Sequence, residues 1–202
     1  MFYLISDLEQ GTDAWRTWRR GVIGASEAPT IMGENPWSSP RRLMEEKLGL
    51  HREFSGNAAT REGNRLEIVA RKELSSKHAR KLRPVVIQDS EDPFLAASLD
   101  AMDSMNEYVY EIKCGVKAYE KTDLHRKVPS YYIGQVQHIL MITGFDYLCF
   151  AAYRPDEQLV TIDVPRDERY INQLRKRERE FARELAQKNH KMQKKFVGSK
   201  VH

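Results

Sequence analysis

The chain has 202 residues, 41% of them hydrophobic and 31% charged, with 33 basic residues against 29 acidic ones for a net charge of +4. That balance reads as an ordinary globular protein with one substantial core, a single domain over residues 1–202. No apolar run reaches the length of a membrane span, residues 1–9 lack a basic and then apolar leader pattern, and two cysteines, Cys114 and Cys149, make no disulfide framework; the expectation is no membrane partner, no secretory signal and a reduced, cytoplasmic setting.

No internal repeat or low-complexity linker divides the chain. Thr12 or Asp13 caps a first helix running to about Gly21. Ser26, after Gly24-Ala25 and before Glu27, reads as the cap of a short helix ending near Gly33. Asn35-Pro36-Trp37-Ser38-Ser39-Pro40 is a turn, and Pro40 starts a helix that stops at Gly49. The longest early helix covers 57–78, with Leu66, Val69, Ala70 and Leu74 at helical spacing. Residues 82–88, 95–101 and 108–114 read as strands, the last two joined by a polar turn. Pro129 opens an apolar helix through Ile142, stopped by Gly144. Residues 147–153 and 159–164 form a hairpin around Arg154-Pro155-Asp156-Glu157. A charged last helix, 167–188, turns Ile171, Leu174, Phe181 and Leu185 inward and leaves a basic tail over 189–202. This order specifies an α/β protein, a central mixed sheet flanked by helices.

Basic residues concentrate over 175–200 and at Arg16, Arg19, Arg20, Arg41 and Arg42. Polyanion binding fits that distribution. From charge alone, a solvated helix face with a basic tail is the simpler reading.

The sharper signal is Ser98-Leu99-Asp100 followed ten residues on by Glu111-Ile112-Lys113. Strand side chains alternate faces, so Glu111 and Lys113 point one way and Ile112 the other. A hairpin brings Asp100 beside Glu111. Two carboxylates and an ammonium then share a small site that suits a hard divalent cation and an activated water, the requirements for hydrolysing a phosphodiester. Asp100 and Glu111 are the proposed metal ligands, and the backbone carbonyl of Ile112 supplies another oxygen. Lys113 polarises the attacking water and stabilises charge on the phosphate. Alone, an acid-x-lysine on a strand is more often a surface ion pair. Asp103 is a rival ligand, but it falls in the turn and is expected to cap it. Glu67, on the long helix, either aims into the site or faces solvent paired with Arg71 at i+4.

In one order along the chain stand Trp15-Arg16-Thr17-Trp18-Arg19, Ile23-Gly24-Ala25-Ser26-Glu27, Gly63 to Glu67, Ser98-Leu99-Asp100, Glu111-Ile112-Lys113 and Tyr132-Ile133-Gly134-Gln135-Val136-Gln137. This ordered set resembles the lambda-type phage exonucleases, the viral recombinase branch of the PD-(D/E)XK nuclease superfamily. The resemblance implies a restriction-endonuclease-like core and a Mg²⁺-dependent enzyme, with two ions and with Mn²⁺ able to substitute. It further implies 5′→3′ degradation of one strand of linear duplex DNA to mononucleotides, a 3′ overhang, a ring-shaped homotrimer around the DNA, and a single-strand annealing protein as partner in recombination. By position, Asp100, Glu111 and Lys113 resemble the catalytic core and Glu67 its helix-borne acid. Arg19, Ser26, Ser98 and Gln135 resemble the residues that grip the terminal 5′ phosphate, with Tyr132 and Gln137 in the same motif. Leu99 and Ala101 stand where the family often has proline and glycine.

The phosphate pocket has its own physical logic. A 5′ phosphate is a dianion near neutral pH, and Arg19 offers a forked pair of donors. Ser26 at a helix N-terminus adds free backbone N–H groups. Three alternatives stay open: an endonuclease of the same fold, a non-catalytic DNA-binding scaffold, and a small-molecule α/β module. Two cysteines are too few for an iron–sulfur cluster, and no Gly-rich phosphate loop supports nucleotide binding.

Overall fold

Thr12 caps the first helix by accepting a hydrogen bond from the Trp15 N–H at 3.2 Å, so that α1 runs Asp13–Arg20 behind a short strand, β1 (Phe2–Leu4). The computed structural model describes residues 1–51 and 56–198. After β2 (Ile23–Gly24) comes a 3₁₀ turn, Ala25–Glu27, that leads straight into α2 (Ala28–Ile31). Gly24, not Ser26, occupies the cap: the Glu27 carboxylate reaches back to accept from the Gly24 N–H at 2.9 Å. A Ser26 cap would draw on the N–H groups two and three residues on, and Pro29 has none, so Ser26 is left inside the turn. Pro40 opens α3 (Pro40–Lys47) under a Ser39 cap, and Asn57 caps α4 (Ala58–Lys77). Leu66, Ala70 and Leu74 bury one stripe of α4, whereas Val69, expected inward, lies at the stripe's edge and is 41% exposed.

The strands β3 (Leu82–Asp89), β4 (Leu95–Asp103), β5 (Val109–Cys114), β6 (Tyr147–Tyr153) and β7 (Val160–Pro165) line up with β1 in the order β1-β3-β4-β5-β6-β7, and β2 pairs with β4. The sheet is mixed: β5–β6 and β2–β4 are parallel, the other pairs antiparallel. A parallel pair needs a crossover, supplied by α5 (Val116–His125) and α6 (Ser130–Thr143). Three elements went unpredicted. β1 and β2 are too short to show a period, and α5 has few apolar positions, burying only Ala118, Tyr119 and Thr122. The last helix, α7 (Glu168–Gly198), runs past its expected end near Lys188 into the predicted tail. Nothing between 188 and Gly198 breaks a helix, and lysine and glutamine favour one. Ile171, Leu174 and Phe181 are buried as expected, and Leu185 is partly buried.

Helices cover both faces. Leu66, Ala70 and Leu74 of α4 pack with Ala101, Tyr110, Ile112 and Ala151. On the other face, Val136 and Ile139 of α6 join Leu99 and Phe150. Gly134 lets α6 approach the α2 backbone closely, since a Cβ there would lie 2.9 Å from the Pro29 nitrogen. That contact holds Tyr132 and Gln135 over the ends of β4 and β5. Among the described residues, no helix is long and apolar enough to cross a membrane, and Cys114 and Cys149 are both free thiols.

Candidate active site

The site begins where one ladder stops. β4 and β5 pair only at Ala101 with Tyr110 and Met102 with Val109, whereas β5 goes on pairing with β6 as far as Cys114 and Tyr153. The two strands therefore part at Asp100 and Glu111. Asp100 bridges the gap, accepting the Ile112 N–H on Oδ2 at 2.8 Å. A strand residue's N–H and C=O project to the same side, so the Ile112 carbonyl opens onto that gap too. Glu111 and Lys113 share the α6 face, and Lys113 donates to Glu111 Oε1. Gln135 Nε2 donates to the same oxygen at 2.6 Å, and the Lys113 ammonium sits 5.0 Å from the Tyr132 ring centroid. The predicted hairpin thus brings Asp100, Glu111, Ile112 and Lys113 together, with Gln135 and Tyr132 above them.

Burial and like charge dominate the electrostatics. Burial first, then the Asp100 charge, pushes the Glu111 carboxyl up to about 8. The same causes push Glu67 up to about 7, and burial raises Asp100 against the pull of Lys113 and the Ile112 N–H. Burial works against the Lys113 ammonium, but Glu111 and Asp100 outweigh it and hold Lys113 protonated. Glu111 Oε2 is buried with no hydrogen-bond partner. Buried acids this close call for a cation. Two carboxylates and a carbonyl are hard oxygen donors, and they suit a small ion that keeps part of its water shell. Among the described residues no group of three or more His, Cys, Asp or Glu side chains is placed to hold a metal ion, so the donor set is limited to Asp100, Glu111 and the Ile112 carbonyl. The residues present fit Mg²⁺.

Glu67 does pair with Arg71, but not in solvent: their side chains are 19% and 15% exposed. Arg71 also donates from Nε to the Asp100 carbonyl at 2.6 Å, so it ties the helix acid to the strand end. Asp103 stays out of the site. Its Oδ1 accepts from the N–H groups of Glu107 and Tyr108 at 2.8 and 2.9 Å, the turn cap expected of it.

A cavity of about 560 Å³ is lined by the acids together with Arg19, Ser26 and Ser98 of the proposed phosphate grip. Arg19 Nη2 donates to Ser26 Oγ at 2.6 Å, and Ser98 Oγ accepts from Trp15 Nε1 at 2.8 Å. Ser26 brings no helix-end field, because the turn it occupies leads into a helix of only four residues; the positive charge comes from Arg19. Gln137 does not reach the cavity. Its Nε2 donates to the Pro165 carbonyl and its Oε1 accepts from the Asp167 N–H, each at 2.9 Å. Positions two apart on a helix point about 200° from one another, so Gln135 and Gln137 cannot serve one pocket.

Three contacts escaped the sequence reading. Trp15 orients Ser98, Arg71 links Glu67 to Asp100, and Lys47 donates to the Arg19 and Val22 carbonyls at 3.1 and 2.5 Å. Lys47 and Arg19 are remote in sequence, so no local spacing signals the contact. Trp15 was visible only as part of a motif.

A mixed sheet that parts between two acid-bearing strands, with helices on both faces, is the lambda-exonuclease-like nuclease fold. The alkaline exonuclease LHK-Exo of Laribacter hongkongensis superposes with a TM-score of 0.80 at 24% identity, over 93% of this chain and 99% of that one. Its complex with dAMP gives 0.81 at 23% identity over the same shares. A phage-related exonuclease from Haemophilus somnus 129PT gives 0.61 at 16% identity, over 85% and 96%. The uncharacterized protein YqaJ of Bacillus subtilis (strain 168) is 30% identical over 184 residues, 88% of this chain, and the chain spans 57% of that relative's length. The YqaJ-like viral recombinase domain matches residues 14–146, and the chain belongs to that family.

Proposed function

We propose that the protein is a Mg²⁺-dependent 5′→3′ exonuclease that acts on the ends of linear duplex DNA. The observation that carries this reading is the meeting of Asp100, Glu111 and Lys113 where β4 and β5 part. When bound, Mg²⁺ supplies Lewis acidity and lowers the pKa of a coordinated water. Asp100, Glu111 and the Ile112 carbonyl are the groups that would hold it. Lys113, kept as an ammonium, donates to the attacking water or to a non-bridging phosphoryl oxygen, where negative charge grows. Gln135 and Tyr132 keep Glu111 and Lys113 in place.

Arg19, with Ser26 and Ser98, grips the terminal 5′ phosphate. Water adds to phosphorus as the bond to the 3′ oxygen breaks, which releases a 5′-mononucleotide and leaves a new 5′ phosphate on the shortened strand. Each cut therefore recreates the group that Arg19 recognises. LHK-Exo has been solved with dAMP, a mononucleotide of the product class. The family's recombinase character supports a role in making 3′ overhangs for a single-strand annealing protein. A ring-shaped trimer and a cytoplasmic setting complete the reading.

Incubation of linear duplex and closed circular DNA with Mg²⁺ tests it, with Lys113→Ala alongside. The expected result is loss of the linear DNA as mononucleotides, intact circles, and a Lys113→Ala variant that binds DNA without cutting it. Nicked circles would replace the exonuclease with an endonuclease, and no loss of either substrate would leave a DNA-binding scaffold.

A further inference from the structure

An aromatic ladder leads from the surface to Lys113, and the chemistry above does not use its outer half. Trp37, in the turn between α2 and α3, is 74% exposed. The turn is firmly held. The Trp37 N–H donates to Asn35 Oδ1 at 2.9 Å, Asn35 Nδ2 donates to Thr30 Oγ1 at 2.8 Å, and the Asn35 N–H donates to the Pro29 carbonyl at 3.1 Å. The indole meets Tyr131 edge to face, with ring centroids 4.9 Å apart. Tyr131 meets Tyr132 at 4.6 Å, and Tyr132 carries the Lys113 ammonium at 5.0 Å. A second lysine, Lys121, places its ammonium 5.1 Å from the Tyr131 centroid. The Gly134–Pro29 contact locks α6 to the segment that bears Trp37, so ladder and site form one unit.

Core packing does not account for Trp37, because a ring this exposed removes little apolar surface from water. What the ladder offers is an exposed indole packed edge to face with Tyr131, a second tyrosine behind it, and ammonium groups against the two tyrosine rings. Nucleobases of any sequence stack on such rings while lysines meet the linking phosphates.

We propose that Trp37 and Tyr131 form a stacking platform for an unpaired nucleobase of the DNA strand that runs into the site, with Lys121 beside its phosphate. The platform rests on the nuclease reading, since it is that reading which brings DNA to Lys113. It assigns to this turn the task of holding one base out of the duplex while the neighbouring linkage is cut.

The test uses the full chain and duplexes carrying 2-aminopurine at successive positions near the 5′ end. Fluorescence is read in EDTA and cutting in Mg²⁺. Unpairing brightens the probe, and stacking on the platform keeps it quenched at one unpaired position in the parent protein. Trp37→Ala is expected to abolish that quenching and to raise KM about tenfold, the loss of one base stack, with kcat nearly unchanged; Trp37→Phe retains both. If the parent cuts linear duplex but Trp37→Ala quenches and cuts equally well, the platform is wrong and the nuclease reading stands. A parent that neither quenches nor cuts overturns both. Should Trp37→Ala lower the unfolding midpoint, Trp37→Phe and Trp37→Leu decide. Quenching by Phe alone sustains the platform, and equal quenching by both removes it.

Discussion

Lys47 and Glu27 form a buried ion pair, Nζ to Oε1 2.9 Å, with side chains 5% and 14% exposed. The pair closes the turn that carries the phosphate grip. Lys47 holds the Arg19 and Val22 carbonyls, and Glu27 holds the Gly24 N–H. Removing one partner leaves the other charge buried and alone, which costs about 3 kcal/mol. Lys47→Met should lower stability by that amount in urea unfolding and should weaken the preference for 5′-phosphorylated over 5′-hydroxyl ends. A variant that loses stability but keeps the full preference would show that the clamp supports the fold without shaping the pocket.

Arg19 lines the cavity, and its guanidinium donates to the neutral Ser26 hydroxyl. A charge-assisted contact to a phosphate is worth about 1.5–3 kcal/mol. Arg19→Ala should therefore cut 5′-phosphorylated ends some ten- to hundredfold less efficiently, with little change on 5′-hydroxyl ends. Digestion of the two substrates side by side measures it, and an equal loss on both would remove Arg19 from the phosphate grip.

Metal should stabilise the fold as well as support cutting. An ion bound only by the native state, at a hundredfold excess over its Kd, adds about 2.7 kcal/mol. Parent protein in Mg²⁺ or Mn²⁺ should gain on that scale in thermal unfolding, Asp100→Asn should not, and EDTA should stop cleavage. The same site gives a pH signature. The Glu111 carboxyl rises from 4.5 to about 8 on folding, so between those values the native state keeps a proton that the unfolded chain has released. Metal-free stability then falls as pH climbs through that window, and Mg²⁺ should suppress the fall.

His138 links three elements inside the core. Its Nδ1 meets Glu178 Oε1 at 2.7 Å and its Nε2 meets the Ala96 carbonyl at 3.0 Å. Burial disfavours the imidazolium, but Glu178 and the Ala96 carbonyl outweigh it and raise the pKa above 6.5. A raised histidine contributes stability that is complete below 6.5 and is lost as pH rises through the folded-state value. In saturating Mg²⁺, which silences Glu111, the urea midpoint should fall from pH 6 to pH 9 in the parent and stay flatter in His138→Gln. Equal slopes in the two proteins would mean that His138 is neutral in the fold.

Much of this molecule is legible along the chain because its signals are local. The cap at Thr12, the helix opening at Pro40, stops at Gly49 and Gly144, and the apolar stripe of α4 each lie within a turn or two of what they control. The Asp100 and Glu111-x-Lys113 pattern is legible for a related reason. Alternation puts Glu111 and Lys113 on one face, and a short turn returns the next strand beside Asp100. Where two local signals compete, the reading fails. Ser26 lies inside the turn that Gly24 caps with the help of Glu27, and Gln137 shares a motif with Gln135 yet lies on another face of α6.

By itself, then, the sequence determined the order of the main elements and the three groups at the heart of the site, since backbone period and side-chain charge act over a few residues. Only the tertiary structure decided that β4 and β5 part beside those groups, that Arg71 binds both Glu67 and the Asp100 carbonyl, and that Lys47 sits beneath Arg19. Arg71 lies 29 residues from Asp100 and Lys47 28 from Arg19, and packing selects such contacts because a buried charge or carbonyl must find a partner wherever the chain supplies one.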